Sequence, residues 1–211
     1  MNQLKQKGFT LVEIAIVLVI VGLLIGGVLK GQEMITNAKL KRIESDNAGI
    51  AAAMFSYQDR YLELPGDDSN AENRFDSFTS ADSGNGDGLI EGGWAAAGSG
   101  EVERQKFWRH LRAAGLVPGG LDDNTQPSNA YGGKIGVRDG SLGIAGHVTI
   151  FGQIEGPIAK ILEARLDDGK PNGGRVQSGL ATGSSVNMDT ASTGSGATYS
   201  DSERYNMAFR L

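Results

Sequence analysis

Residues Phe9 to Leu29 read FTLVEIAIVLVIVGLLIGGVL, 21 residues with one charge, Glu13. As a helix this run rises ~30 Å, which matches the hydrocarbon core of a bilayer. It is preceded by MNQLKQKG, whose only charges are Lys5 and Lys7. Basic residues ahead of an apolar span hold that end in the cytoplasm and send the C-terminal side outward. A secretory signal fits poorly, because Lys30, Gly31 and Gln32 follow the span where small residues for cleavage are expected. The ionisable Glu13 inside the span is expensive, and such a group is usually functional.

Gly8-Phe9-Thr10-Leu11-Val12-Glu13 is similar to the processing motif of type IV prepilins and of type II secretion pseudopilins. The resemblance implies that prepilin peptidase cuts after Gly8 on the cytoplasmic side and that Phe9 is N-methylated. It also implies a pairing of Glu13 with the freed α-amino group of Phe9 on a neighbouring subunit during assembly. An intrachain pair between the same two groups is the alternative. The implied partners are further copies of this chain in a helical filament, related minor pilins, the peptidase, the inner-membrane assembly platform, and membrane lipid before assembly. A single-pass inner-membrane protein with its head in the periplasm is expected first, then a pilus or periplasmic filament.

Downstream of the span, Ile43, Ile50, Met54, Tyr57, Tyr61 and Leu64 recur at helical spacing. No proline interrupts residues 9–64, so one helix is expected from Phe9 to about Leu62, ended by Leu64-Pro65-Gly66-Asp67-Asp68. The expected organisation is a leader (1–8), an apolar half-helix for membrane or filament core (9–29), an amphipathic half (30–64), and a head (65–211). The fold class is α+β and pilin-like, with a small β-containing head rich in loops. In that head, Glu101–Ala114 is expected as a helix stopped by Gly115, and 134–151 as strands turning at Asp139-Gly140. Pro157–Leu166 is expected as a second helix, 173–202 as irregular chain, and Tyr205–Leu211 as a closing edge strand.

Glycine makes up 32 of the 211 residues, and cysteine is absent. The missing cysteines exclude disulfides, thiolate metal sites and a thiol nucleophile. The formal charge of −5 without a basic cluster disfavours nucleic acid as a partner. In the Gly-rich stretch, Asp82, Ser83, Asn85, Asp87 and Glu91 alternate oxygen groups with glycine and suit a calcium loop. Set against an EF-hand, Ser83, Asn85 and Asp87 take the first ligand positions and Gly88 the turn, but Trp94 stands where the bidentate Glu belongs. Asp67, Asp68 and Asp76 are further oxygen sources, and a solvated Asn/Asp/Gly turn is the competing reading.

Asp167-Asp168-Gly169 is expected as a turn, and His110 and His147 as packing or surface residues. No nucleophile elbow, phosphate loop, dinucleotide fingerprint or zinc-protease motif occurs, so no catalytic residue is expected. The function expected is a structural filament subunit. A pseudopilin of a secretion or DNA-uptake machine is the nearer alternative, and a membrane-tethered periplasmic enzyme or ligand-binding domain the more distant one.

Overall fold

The computed structural model describes residues 9–92, 102–121, 123, 125–181 and 198–211. The leader, Trp94, Glu101 and most of the Ser/Thr-rich stretch expected to be irregular lie outside these residues. The chain divides into two units, Met1–Lys41 and Arg42–Leu211.

The first unit is helical from Leu11 onward, within α1, which runs Leu11–Tyr61. Its large apolar side chains stand open to the surroundings from Phe9 through Leu29, and Met34 and Ile35 do the same beyond the basic-acidic pair Lys30–Glu33. It is long and apolar enough to cross a membrane.

The second unit is the head. It takes in α1 from Arg42 to Tyr61, then α2 (Glu103–Ala113), β1 (Ile135–Ser141), β2 (Ile144–Glu155), α3 (Gly156–Leu166), β3 (Val176–Leu180) and β4 (Arg204–Arg210). Two short 3-10 turns, Ala71–Asn73 and Ser80–Asp82, shape the loop between α1 and α2. The strands form one antiparallel sheet in the order β1-β2-β4-β3. The architecture is α+β, as expected.

Val137, Thr149 and Phe209 stand side by side across three strands, as do Ile135, Phe151 and Met207, so all six share one face. Thr149 on that face bonds Asn47 of α1, which sets the helix stripe Ile43, Ile50, Met54 and Tyr57 into the core. The opposite face carries Val148, Ile150 and Ala208, which cluster with Leu142 and Ile144 of the hairpin.

Three expectations are corrected. The hairpin turns at Leu142-Gly143, not at Asp139-Gly140: Gly140 is inside β1, where the register slips between Asp139 and Ser141. A bulge absorbs a glycine there without reversing the chain. Residues 176–180 form strand β3, although Val-Gln-Ser-Gly-Leu offers little bulk to mark it. Consequently β4 is not an edge strand but lies between β2 and β3, and its alternating side chains are buried on both faces.

Candidate functional site

At the head of α1, Thr10 is the N-cap and Glu13 the third helical residue. The Glu13 carboxylate accepts from the Thr10 backbone N–H and from the Thr10 hydroxyl, both at 2.8 Å, and the Thr10 hydroxyl accepts from the Glu13 N–H at 3.3 Å. This is a capping box, which satisfies helix-start donors reciprocally. It places the one acid of the span at the positive end of the helix dipole. Phe9, immediately before it, is 83% exposed. Gly8 lies outside the described residues.

The sequence pattern had not singled out Thr10. The signal was nonetheless present, since Thr-x-x-Glu before an apolar run is a helix-start signature.

In the head, the turn after α1 organises the glycine-rich loop. Asp67 and Asp68 are both buried. The Asp67 carboxylate accepts from the backbone N–H groups of Gly86 (2.7 Å), Asp87 (3.3 Å) and Gly88 (2.7 Å). Asp68 accepts from the Tyr57 hydroxyl (2.7 Å) and pairs with the Arg74 guanidinium (2.8 Å). Glu103, at the start of α2, takes the N–H groups of Asn85 (3.3 Å) and Glu91 (2.9 Å). Burial pushes the Glu103 carboxyl up, against these two hydrogen bonds. Gly84 is required for the close approach, because a Cβ there would run into the Asp67 backbone.

The loop therefore wraps around carboxylates with its amide hydrogens, whereas a cation cage needs oxygens pointing inward. The expected calcium ligands are mostly engaged elsewhere. Asp82 is buried, pairs with Arg109 and caps Thr79. Ser83 Oγ accepts from the Glu72 N–H, Asn85 Oδ1 from the Asp87 N–H, and Asp87 from Leu89 N–H and Asn85 Nδ2. Glu91 is exposed and enters the network through its N–H. As placed, these oxygens do not converge on one point, and among the described residues no group of three or more His, Asp or Glu is placed to hold a metal. The expected EF-hand twelfth position, Trp94, is outside the described residues.

Residues 3–29 match the prokaryotic N-terminal methylation motif, the prepilin-type motif of type IV pilins and pseudopilins. The chain carries a prepilin-type N-terminus. No curated protein and no solved structure matches the chain. The prepilin-type motif implies processing by prepilin peptidase and assembly with other pilin-type subunits, and it points to a structural subunit.

Two further buried titratable groups of the head have strongly shifted pKa values, His110 and Glu163. His110 Nδ1 accepts from the Gly66 N–H at 2.9 Å, and Nε2 lies 2.8 Å from the Asp82 carbonyl, so the neutral ring holds its proton on Nε2. Burial pushes its pKa down to about 4. Glu163 on α3 is fully buried, accepts from the Tyr199 hydroxyl at 2.9 Å, and is pushed up to about 8 by burial.

Asp167 and Asp168 form the expected turn: Asp167 takes the N–H groups of Arg175 and Val176, and Asp168 that of Lys170. His147 faces Asp139 across the hairpin at 3.4 Å.

Proposed function

We propose that the chain is the structural subunit of a type IV pilus-like filament. Prepilin peptidase cuts it after Gly8, Phe9 becomes the methylated N-terminus, and the head is presented on the periplasmic side of the inner membrane before assembly. Cleavage leaves 203 residues, 211 less the 8 of the leader. The observation that carries this reading is the prepilin-type motif at residues 3–29, which runs into a helix whose apolar side chains from Leu11 to Leu29 find no cover among the described residues.

Glu13 is then the assembly residue. One of its oxygens, Oε2, is held by Thr10 at the helix start, one turn from the site of the new amino group. A neighbour's Phe9 ammonium offers it a full positive charge in a medium of low dielectric, where such a pair is far stronger than in water. Before assembly the capping box keeps the carboxylate from being buried without a partner.

The test is shearing of surface fibres, imaging, and intact mass of the subunit. The expected result is this chain within fibres, beginning at N-methylated Phe9. Fibres containing residues 1–8 overturn the processing claim. Recovery only from short periplasmic fibres assigns the chain to a secretion or DNA-uptake machine instead.

A further inference from the structure

The head holds a cavity of about 340 Å³ between α1, α2 and the chain that follows α2, with walls that include Ser45, Gly49, Ile50, Trp108, Pro118 and Ile135. Trp108 is 2% exposed, yet its indole Nε1–H has no hydrogen-bond partner. An indole N–H is a donor only, and a buried donor without an acceptor is a standing loss of stability. Gly49, exposed on α1, also lines the cavity, and a Cβ placed there would meet nothing within 4 Å. Arg42 also borders the cavity; its side chain is largely exposed, with Nε 3.6 Å from the Asp46 carboxylate.

A complementary feature occurs elsewhere on the same head. Leu62, just past the end of α1, is 86% exposed and has φ +61°, a left-handed conformation that branched side chains avoid. Among the described residues nothing covers this leucine, and strain of this kind collects at binding sites. Glu63 follows it and has no ion-pair partner among the described residues. Leu62 and the cavity are well separated on the head, since Ile50 and Tyr61 are about 17 Å apart along α1.

We propose that Leu62 of one copy inserts into the Trp108 cavity of the next copy, with Glu63 meeting Arg42 at the rim. Because knob and cavity lie on different parts of one head, the contact is head-to-tail and leaves an unused knob and an unused cavity at its two ends. Repetition of such a contact propagates an open helical array. The proposal rests on the filament reading and names a contact between successive heads within it.

The absence of native cysteine allows a direct test in the full chain. Fibres are sheared from cells whose only copy carries Leu62→Cys, Ser45→Cys, or both, and are treated with a short thiol-specific cross-linker. The double variant is expected to give a ladder of dimers, trimers and higher species, and the single variants only monomer. A ladder missing from fibres that contain the double variant, or dimers from a single variant alone, overturns the proposal and leaves the filament reading standing. A wild-type chain found in no fibre sinks both.

Gly49→Leu checks the same contact without a cross-link, by filling the cavity at a helical position that favours leucine. The expected result is an unchanged or higher melting temperature of the full chain with at least tenfold fewer fibres. Normal fibre yield from a correctly folded Gly49→Leu chain counts against the contact.

Discussion

The two units use polar groups in opposite ways. Residues 9–29 carry a single acid among exposed apolar side chains, and that acid is satisfied within three residues of itself, by Thr10. The head buries Asp67, Asp68, Asp82, Glu103 and Glu163 and satisfies the first four through partners up to 27 residues away. An apolar segment that meets lipid must be self-sufficient in hydrogen bonds, and on the filament reading proposed above this holds at every stage. A head built without disulfides is free to use long-range carboxylate contacts as staples, provided that each buried charge finds donors.

The comparison breaks most sharply at Glu13. Replacing it with Leu removes the only costly group from the span, so membrane insertion is expected to be unchanged or improved. Fibre yield is expected to fall to background, because the partner for the neighbour's amino group is gone. Membrane fractionation and fibre imaging of the same cells check both halves. Wild-type fibre yield from Glu13→Leu as the sole subunit removes the assembly role.

The next largest effect belongs to the Asp67 staple. Asp67→Ala takes the carboxylate away from three N–H groups: that of Gly88 loses its acceptor, while that of Gly86 keeps the backbone carbonyl of position 67 and that of Asp87 keeps Asn85 Oδ1, and a lost hydrogen bond to a charged group is worth about 1.5–3 kcal/mol. A loss of about 3 kcal/mol lowers the melting temperature by ~6–12 °C for a domain of this size. Gly84→Ala, which crowds the Asp67 backbone, is expected to cost about 1–3 kcal/mol. Thermal melting of the full chain in detergent measures both, and variants that melt with the wild type show that the cradle is dispensable.

How much of this was legible in advance follows the range of the contacts. The span, the stripe on α1, Gly115 after α2 and the proline at the start of α3 are local patterns, and the elements follow them within about two residues. Strand β3 was not legible because its burial comes from pairing with β4, which is far along the chain. Alternation in β4 marks two faces but not which strands flank it. Composition marks Asp67 as an oxygen source for the glycine-rich loop, and in the fold its carboxylate accepts from that loop's amides. Oxygen-rich composition reads as a metal cage, while the chain directs its amides inward, and backbone direction leaves no mark on composition.

A smaller effect separates His110 from the carboxylate staples. Its folded pKa of about 4 lies below the ordinary histidine value, so the unfolded chain takes up the proton first. The neutral ring's contribution is fully present above about pH 6.5 and is lost as pH falls toward 4. At pH 5 the loss is about 2 kcal/mol, since each pH unit in that window is worth ~1.4 kcal/mol. Protonation also turns Nδ1 into a donor facing the Gly66 N–H. His110→Gln keeps an acceptor without a titrating ring, so its melting temperature is expected to fall less between pH 7 and 5 than that of the wild type. Parallel curves for the two proteins dismiss the histidine as the cause.

The smallest effect expected is that of calcium. Asp82 is held by Arg109 and Thr79, and the carboxylate of Asp87 already accepts from Leu89 N–H and Asn85 Nδ2. An ion entering the loop would face the amides of Gly86, Asp87 and Gly88, which already point at Asp67. To reach the Asp67 oxygens it must break those bonds and reverse the loop, a loss that sites in the 10⁻⁴–10⁻³ M range have little free energy to offset. The full chain in detergent is therefore expected to melt within about 1 °C in millimolar calcium and in chelator, since stabilisation of 1 kcal/mol would already appear as ~2–4 °C. Asp87→Ala is expected to lower both values together by removing an Asx turn. A calcium-dependent rise that Asp87→Ala abolishes would show that the loop can turn its oxygens inward, and the head would then be stapled by a metal as well as by Asp67.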